Sequence, residues 1–179
     1  MLKRILGASV ATAALIALSA PAFAATGSIA ITGSVDAACS ISSPTHTVAF
    51  GTFTMNPDGT YAGAQSQTQG FGDVWCNGTH NTFSVTAYPL IGDHTSTDTP
   101  FTNRIDYTVS AAVLPSAALD TTGAPVATGK NQTVNDVPAF DTGSGTYDQY
   151  TITTKDTGSN KLVAGAYSGH IDVTLTPGL

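Results

Sequence analysis

Thr26-Gly-Ser-Ile-Ala-Ile-Thr-Gly-Ser-Val-Asp-Ala-Ala-Cys-Ser-Ile41 is the stretch on which the reading of the whole chain turns. Ile29, Ile31, Val35, Cys39 and Ile41 fall on odd positions, whereas Ser28, Thr32, Ser34, Asp36 and Ser40 fall on even ones. That is the period of a strand with one buried face and one wet face. Gly33 stands in the apolar register. No turn signal joins the stretch to a hairpin partner, so the strand needs a groove to lie in. The groove belongs either to its own domain, where the strand is part of an ordinary sheet, or to another copy of the molecule.

Upstream, residues 1–24 carry Lys3 and Arg4, then an apolar run from Ala11 to Leu18, then Ala22-Phe23-Ala24. This reads as a secretory signal peptide with an A-x-A cleavage site, too short and wrongly flanked for a membrane anchor. Cleavage leaves a chain beginning at Ala25, one domain in length and large enough for a single sizeable core.

Six basic residues, less Lys3 and Arg4, leave four against twelve acidic ones, all aspartates, for a formal charge of −8 past the leader. Such a balance argues against nucleic acid as a partner. Threonine, serine, glycine, alanine and valine dominate the composition, which suits short strands and turns better than helices. Two cysteines in an exported chain, Cys39 and Cys76, read as one disulfide. The rival, metal or redox chemistry, lacks a C-x-x-C.

The remaining segments follow the same grammar. Val48-Ala-Phe-Gly-Thr-Phe53 reads as a strand with a bend at Gly51, and Asn56-Pro-Asp-Gly59 as a turn. Thr60 to Gly70 has little to bury and reads as a loop. Val74 to Cys76 and Phe83 to Tyr88 read as strands, Gly92 to Pro100 as a polar loop, and Arg104 to Leu114 as one long half-buried strand. Pro115 to Gly129 reads as a loop with a short edge strand. Val134 to Phe140 and Tyr147 to Thr154 are expected strands around a turn at Asp141-Thr-Gly-Ser-Gly145, and Asp156 to Asn160 is a further turn. Tyr167, Gly169, Ile171, Val173 and Leu175 alternate against Ser168, His170, Asp172, Thr174 and Thr176 in the last strand. Eight or nine strands with no helical period indicate an all-β sandwich.

Cys39-Ser-Ile, Val48-Ala-Phe50-Gly-Thr-Phe, Val74-Trp-Cys76, Phe83-Ser-Val-Thr and Gly165-Ala-Tyr167-Ser-Gly-His-Ile171-Asp-Val173-Thr-Leu175 together resemble the spore coat protein U family, whose members include pilins of archaic chaperone-usher fimbriae. The resemblance implies an immunoglobulin-like β-sandwich that lacks one strand. A periplasmic chaperone completes it first, and the N-terminal strand of the next subunit replaces the chaperone at an outer-membrane usher. On that reading the chain divides into a signal peptide (1–24), a donor-strand segment (25–37) and a pilin-like domain (38–179). Ile29, Ile31 and Val35 are then plugs, with Gly33 where the groove is tight. The partners are other copies or related pilin subunits, and the destination is a cell-surface fimbrium. No cofactor is implied. A self-contained secreted binding or adhesin module is the competing reading, and exposed aromatics such as Tyr61, Trp75 or Tyr147 would favour it.

No motif points to an enzyme. Asp141-Thr-Gly and Asp156-Thr-Gly resemble the aspartic-protease triplet, but that chemistry needs two carboxylates sharing a proton, commonly from two lobes. Both triplets read as turn chemistry. His46, His80, His94 and His170 lack metal-ligand spacing, and His170 is expected to be solvated. Asp93 and Asp98 fix no calcium ligand count. The sequons at Asn77 and Asn131 are chemically allowed and expected to be unused.

Overall fold

The structure is a computed structural model that describes residues 28–114, 117–142 and 149–179. The signal peptide, Tyr147 and the turn residues Gly143 to Gly145 lie outside the described residues. Two compact units are present, Met1–Ser34 and Val35–Leu179. In the described part of the first unit, residues 28–34 form no β-ladder, and Ile29 and Ile31 are 91% and 93% exposed.

The second unit is all-β, a sandwich built from fifteen short strands among the described residues. They are β1 (Cys39–Ile41), β2 (Ser66–Gly70), β3 (Val74–Cys76), β4 (Asn81–Ala87), β5 (Leu90–Gly92), β6 (Phe101–Thr102), β7 (Arg104–Ile105), β8 (Tyr107–Ser110), β9 (Leu119–Asp120), β10 (Lys130–Val137), β11 (Phe140–Asp141), β12 (Gln149–Thr154), β13 (Lys161–Leu162), β14 (Tyr167–Ser168) and β15 (Ile171–Thr176). Two sheets carry the core, one ordered β10-β4-β15 and the other β2-β12-β8-β9. Smaller sheets β1-β3-β11, β14-β5-β7 and the parallel pair β13-β6 complete the unit.

Alternation decides the core. In β4 the inward Phe83, Val85 and Ala87 are fully buried, while Thr82, Ser84 and Thr86 turn outward. Across the sandwich they meet Tyr107 and Val109 of β8 and Tyr150 and Ile152 of β12. The Phe83 and Tyr150 rings stack at 6.5 Å between centroids. Each such side chain contributes roughly 1.5–3 kcal/mol by leaving water. Cys39 and Cys76 lie opposite one another across β1 and β3 and are joined as a disulfide.

Several sequence expectations are corrected. Residues 66–70, expected as loop, form β2, because Ser66 and Thr68 hydrogen-bond across to Thr153 and Thr151 at 3.0 Å and the backbone ladder needs no apolar side chain. The single strand expected from Arg104 to Leu114 breaks into β7 and β8 and ends at Ser110, where Leu114 N–H closes a turn on the Ala111 carbonyl. The strand expected at Val134 to Phe140 begins earlier, at Lys130, and is interrupted by a bulge between Val134 and Val137, with Asp136 at φ 57°. The last strand is two, β14 and β15, separated at Gly169, where an added Cβ would sit 2.8 Å from the Pro89 carbonyl. Residues 48–53, expected as a strand, form no ladder at all. The reason for that absence lies in the site.

Candidate functional site: an open strand edge and the groove at its start

β15 is the outermost strand of its sheet, and among the described residues no strand pairs with its second edge. The phase of that edge is fixed by its entry. Tyr88 N–H donates to the His170 carbonyl at 3.0 Å, continuing the register that sets Ile171 opposite Ala87. Successive residues of a strand turn their N–H and C=O to alternate sides. Asp172, Thr174 and Thr176 therefore bond to β4, and Ile171, Val173 and Leu175 offer their backbone groups to the open side. The side chains of those same three residues face the core yet are only half-buried, whereas their neighbours in β4 are fully covered.

At the start of this strand lies a groove in two adjoining parts, with volumes of about 410 and 820 Å³, the first reaching Ile171 and Asp172 of β15 and the second lying beyond it against residues 162–169. Val48, Phe50, Leu90 and Gly169 border both. One wall is the approach to β15, and the other is the extended segment from Pro44 to Met55. Residues 48–53 have the β-branched and aromatic pattern of a strand but form no ladder. Val48 and Phe50 of this segment line the groove together with Ile171 and Asp172 at the start of β15, and no described strand pairs with either segment there. The floor is apolar and aromatic, from Phe71, Tyr107, Tyr150 and Ile152.

Polarity concentrates at one end. His46, Gln69, His170 and Asp172 border the smaller part. Gln69 Nε2 donates to the Gly70 carbonyl at 2.9 Å and lies 3.3 Å from His46 Nδ1. An amide N–H only donates, so this imidazole nitrogen accepts. His170, expected to be solvated, stacks its ring on Tyr88 at 3.9 Å, with its side chain still 62% exposed. Burial pushes the Tyr107 phenol's ionisation far above its ordinary value, against the opposing effect of its bond to the Tyr88 carbonyl. On the other wall burial likewise raises Tyr167, whose hydroxyl donates to the Val163 carbonyl at 2.7 Å.

The other edge of the same sheet is of a different kind. β10 carries the bulge at Val134 and Val137, the left-handed Asp136 and exposed Lys130, Asn131 and Asn135, features that discourage strand addition.

Of the residues singled out from sequence, Val35 is 84% exposed, and an added Cβ on Gly33 would meet nothing within 4 Å. The groove walls were not singled out, because they combine three distant segments whose only common sequence signal is the alternation of β15. Tyr61 is buried, its hydroxyl 2.7 Å from Thr154 Oγ1; Trp75 is 38% exposed. Asp156 accepts the Gly158 N–H within its turn, and Asp141 sits on β11 opposite Trp75. Asn77 bonds Ala38 N–H and the Asp36 carbonyl, and Asn131 bonds Ser84 and Thr86. Asp93 accepts the Ala166 N–H at 3.0 Å. Among the described residues, no group of three or more His, Cys, Asp or Glu could hold a metal ion.

The fold is thus that of an all-β sandwich with an open edge. No protein-family model matches the chain, and no curated protein matches it. Among solved structures it is similar to a chain of the chaperone-tip adhesin complex of CFA/I fimbriae biogenesis, at 14% identity and a TM-score of 0.41, over 79% of this chain and 42% of that one. The present chain therefore spans less than half the length of that neighbour.

Proposed function

We propose that the chain is a structural subunit of a surface fimbria, whose joints form when an N-terminal strand of one copy lies along β15 of the next. The observation that carries this reading is the coincidence, on one strand, of a backbone edge that no described strand pairs with, half-covered Ile171, Val173 and Leu175, and an open apolar groove at its start, bordered by Ile171. A β-strand with alternate apolar side chains supplies what both features lack: a ladder partner and plugs for the groove. Ile29, Ile31 and Val35 have that alternation and stand exposed. Each plug would stabilise the joint by roughly 1.5–3 kcal/mol and each ladder bond by about 0.5–1.5. A periplasmic chaperone and an outer-membrane usher are the partners such a route requires, since an open groove must be covered before assembly. The role is structural rather than enzymatic.

Electrophoresis of unheated mature protein in dodecyl sulfate tests the reading. A ladder of oligomers that collapses to monomer on boiling is expected, and Ile31→Asp, which places an uncompensated charge among apolar groups, should abolish the ladder. Thr32→Asp on the wet face should preserve it. A lone monomer band from native-like extracts of the wild type would overturn the proposal.

A further inference from the structure

The segment from Asp36 to Cys39 is fastened to the end of β3 through one asparagine. Asn77 Oδ1 accepts the Ala38 N–H at 2.6 Å, and Asn77 Nδ2 donates to the Asp36 carbonyl at 3.0 Å. These two backbone groups flank Ala37 and turn to the same side of an extended chain, and a carboxamide carries an acceptor and a donor in one plane, so a single side chain satisfies both. The Asn77 N–H donates to the Ala38 carbonyl at 3.1 Å, and the next pair, Cys39 and Cys76, is the disulfide. Exposure changes at the same place: Val35 is exposed, whereas Ala37, Ala38 and Cys39 are half-buried. The last apolar residue of the N-terminal arm, Val35, is therefore the immediate neighbour of the first fastened one, Asp36.

The turn that begins at Asn77 also holds the end of β15. Asn81 is fully buried, donates to the Gly78 carbonyl at 2.7 Å and the Val137 carbonyl at 3.1 Å, and accepts the Gly178 N–H at 3.2 Å. Gly78 and Gly178 approach so closely that a Cβ on Gly78 would collide with the Gly178 carbonyl. Gly178 follows shortly after Thr176, the last residue of β15. Residues 77–81 thus bond at one end to the root of the arm, through Asn77, and at the other to the close of the open-edge strand, through Asn81. All of these contacts lie inside the second unit.

We infer that Asn77 is a positioning residue of the strand joint: its amide removes the hinge at the root of the arm, so that residues 77–81 hold the root of the strand a subunit donates in fixed relation to the edge it offers. The inference rests on the strand-joint reading and adds to it the geometry between successive joints. Without the amide, Asp36 and Ala37 become a short flexible linker whose first fixed point is the Ala38 carbonyl, and successive subunits turn more freely about it. Ile29, Ile31, Val35 and the edge of β15 are untouched by that change, so the joint itself persists.

Relaxation, amide exchange and microscopy on the mature chain test this. In an Ile31→Asp background, which keeps the chain monomeric, nitrogen-15 relaxation should give the Ala37 amide the rigid order parameter of about 0.85, falling below about 0.6 when Asn77→Ala is added. Exchange of the Ala38 N–H should quicken at least about tenfold with Asn77→Ala and stay slow with Asn77→Asp, whose carboxylate accepts that amide but cannot donate to Asp36. Fibres of Asn77→Ala without the Ile31 change should keep the dodecyl sulfate ladder, yet in electron micrographs their persistence length should be at least about twofold shorter than that of the wild type. Asn131→Ala, which removes an exposed amide bonded to Ser84 and Thr86, should change none of these. Circular dichroism melting identifies a variant that fails to fold; for that case Asn77→Asp, which loses only the donor, carries the test through a shortened persistence length. An Ala37 amide as ordered in Asn77→Ala as in the chain that keeps Asn77, or Asn77→Ala fibres as stiff as the wild type, overturns the inference. Absence of any ladder in the wild type overturns the strand-joint reading instead, and the order parameters, taken on monomer, then decide by themselves whether Asn77 fixes the root.

Discussion

The Tyr107 hydroxyl lies 3.0 Å from the His170 carbonyl, and 2.7 Å from that of Tyr88, so one buried phenol ties the start of the open-edge strand to the strand beside it. His170 O also accepts the Tyr88 amide, which makes this oxygen the hub that fixes the phase of β15. Tyr107→Phe removes the donor while preserving the ring in the core. A stability loss of about 1–2 kcal/mol is expected. For a domain of this size that lowers the melting temperature by several degrees.

The same phenol sets an alkaline limit. Burial holds Tyr107 protonated well above the ordinary tyrosine value of 10.0, and Tyr167 is shifted in the same direction. Above about pH 10 the unfolded chain gives up these protons while the folded chain keeps them, so the unfolded state binds fewer protons and stability falls as pH rises. Ultraviolet titration should show at least one tyrosine ionising only on unfolding. A fully reversible titration of all tyrosines near their ordinary value in folded protein would contradict the burial of Tyr107.

The Asp120 carboxylate behaves in the opposite sense. Desolvation raises its ionisation, but the Thr122 amide, the Lys155 ammonium and the Thr122 hydroxyl together outweigh that and hold it below the ordinary range. Its contribution is present above the unfolded value and is lost as pH falls through the folded one. Both partners are substantially exposed, so the effect is small. Asp120→Asn should flatten the acid limb of the stability curve slightly and leave stability at neutral pH within about 1 kcal/mol of the wild type.

Cys39 and Cys76 close a loop with a sequence separation of 37. Loop closure of that length stabilises a fold by roughly 3–4 kcal/mol in the chain-entropy model. Intact-mass measurement should find no alkylatable thiol before reduction, and reduction should lower the denaturant midpoint. Two thiols that react without reductant would remove the bridge from the account.

How much of this was legible in the sequence depends on which physical rule formed each element. β4 and the alternating half of β15 were plain, because burying one face of a strand imposes period two on Phe83, Val85 and Ala87 and on Ile171, Val173 and Leu175. β2 was not, since Ser-Gln-Thr-Gln-Gly buries almost nothing and is ordered by backbone pairing and cross-strand hydroxyls. Residues 48–53 misled for the reverse reason: their composition fits a strand, and strand structure needs a neighbour that the second unit does not supply among its described residues. The groove was legible only as the requirement of an unaccommodated apolar strand, because its walls come from segments near 44–55, 90 and 162–172 that no local pattern connects.

The phase of the open edge gives the sharpest test of the strand-joint reading. Ile171, Val173 and Leu175 offer their backbone groups to the open side of β15 and turn half-buried side chains to the core face. A strand laid antiparallel on this edge must put its apolar residues directly opposite those three, because directly opposed residues share a face and, in this phase, exchange both hydrogen bonds. The amides that bond are then those of Ile29, Ile31 and Gly33, and the amides of Ala30 and Thr32 face away. A labelled peptide spanning Ser28 to Asp36, added to mature protein, should bind and suppress the unheated ladder. N-methylation at Ile31 removes a ladder bond and sets a methyl group against the edge, so affinity should fall at least tenfold, as follows from a loss of about 1.4 kcal/mol or more. N-methylation at Thr32 should change it less than about twofold, a difference of roughly 0.4 kcal/mol. If Thr32 proves the sensitive position, the strand lies parallel to β15. If both peptides bind like the unmodified one, the contact is made by side chains without a ladder, and β15 is not extended by a partner strand.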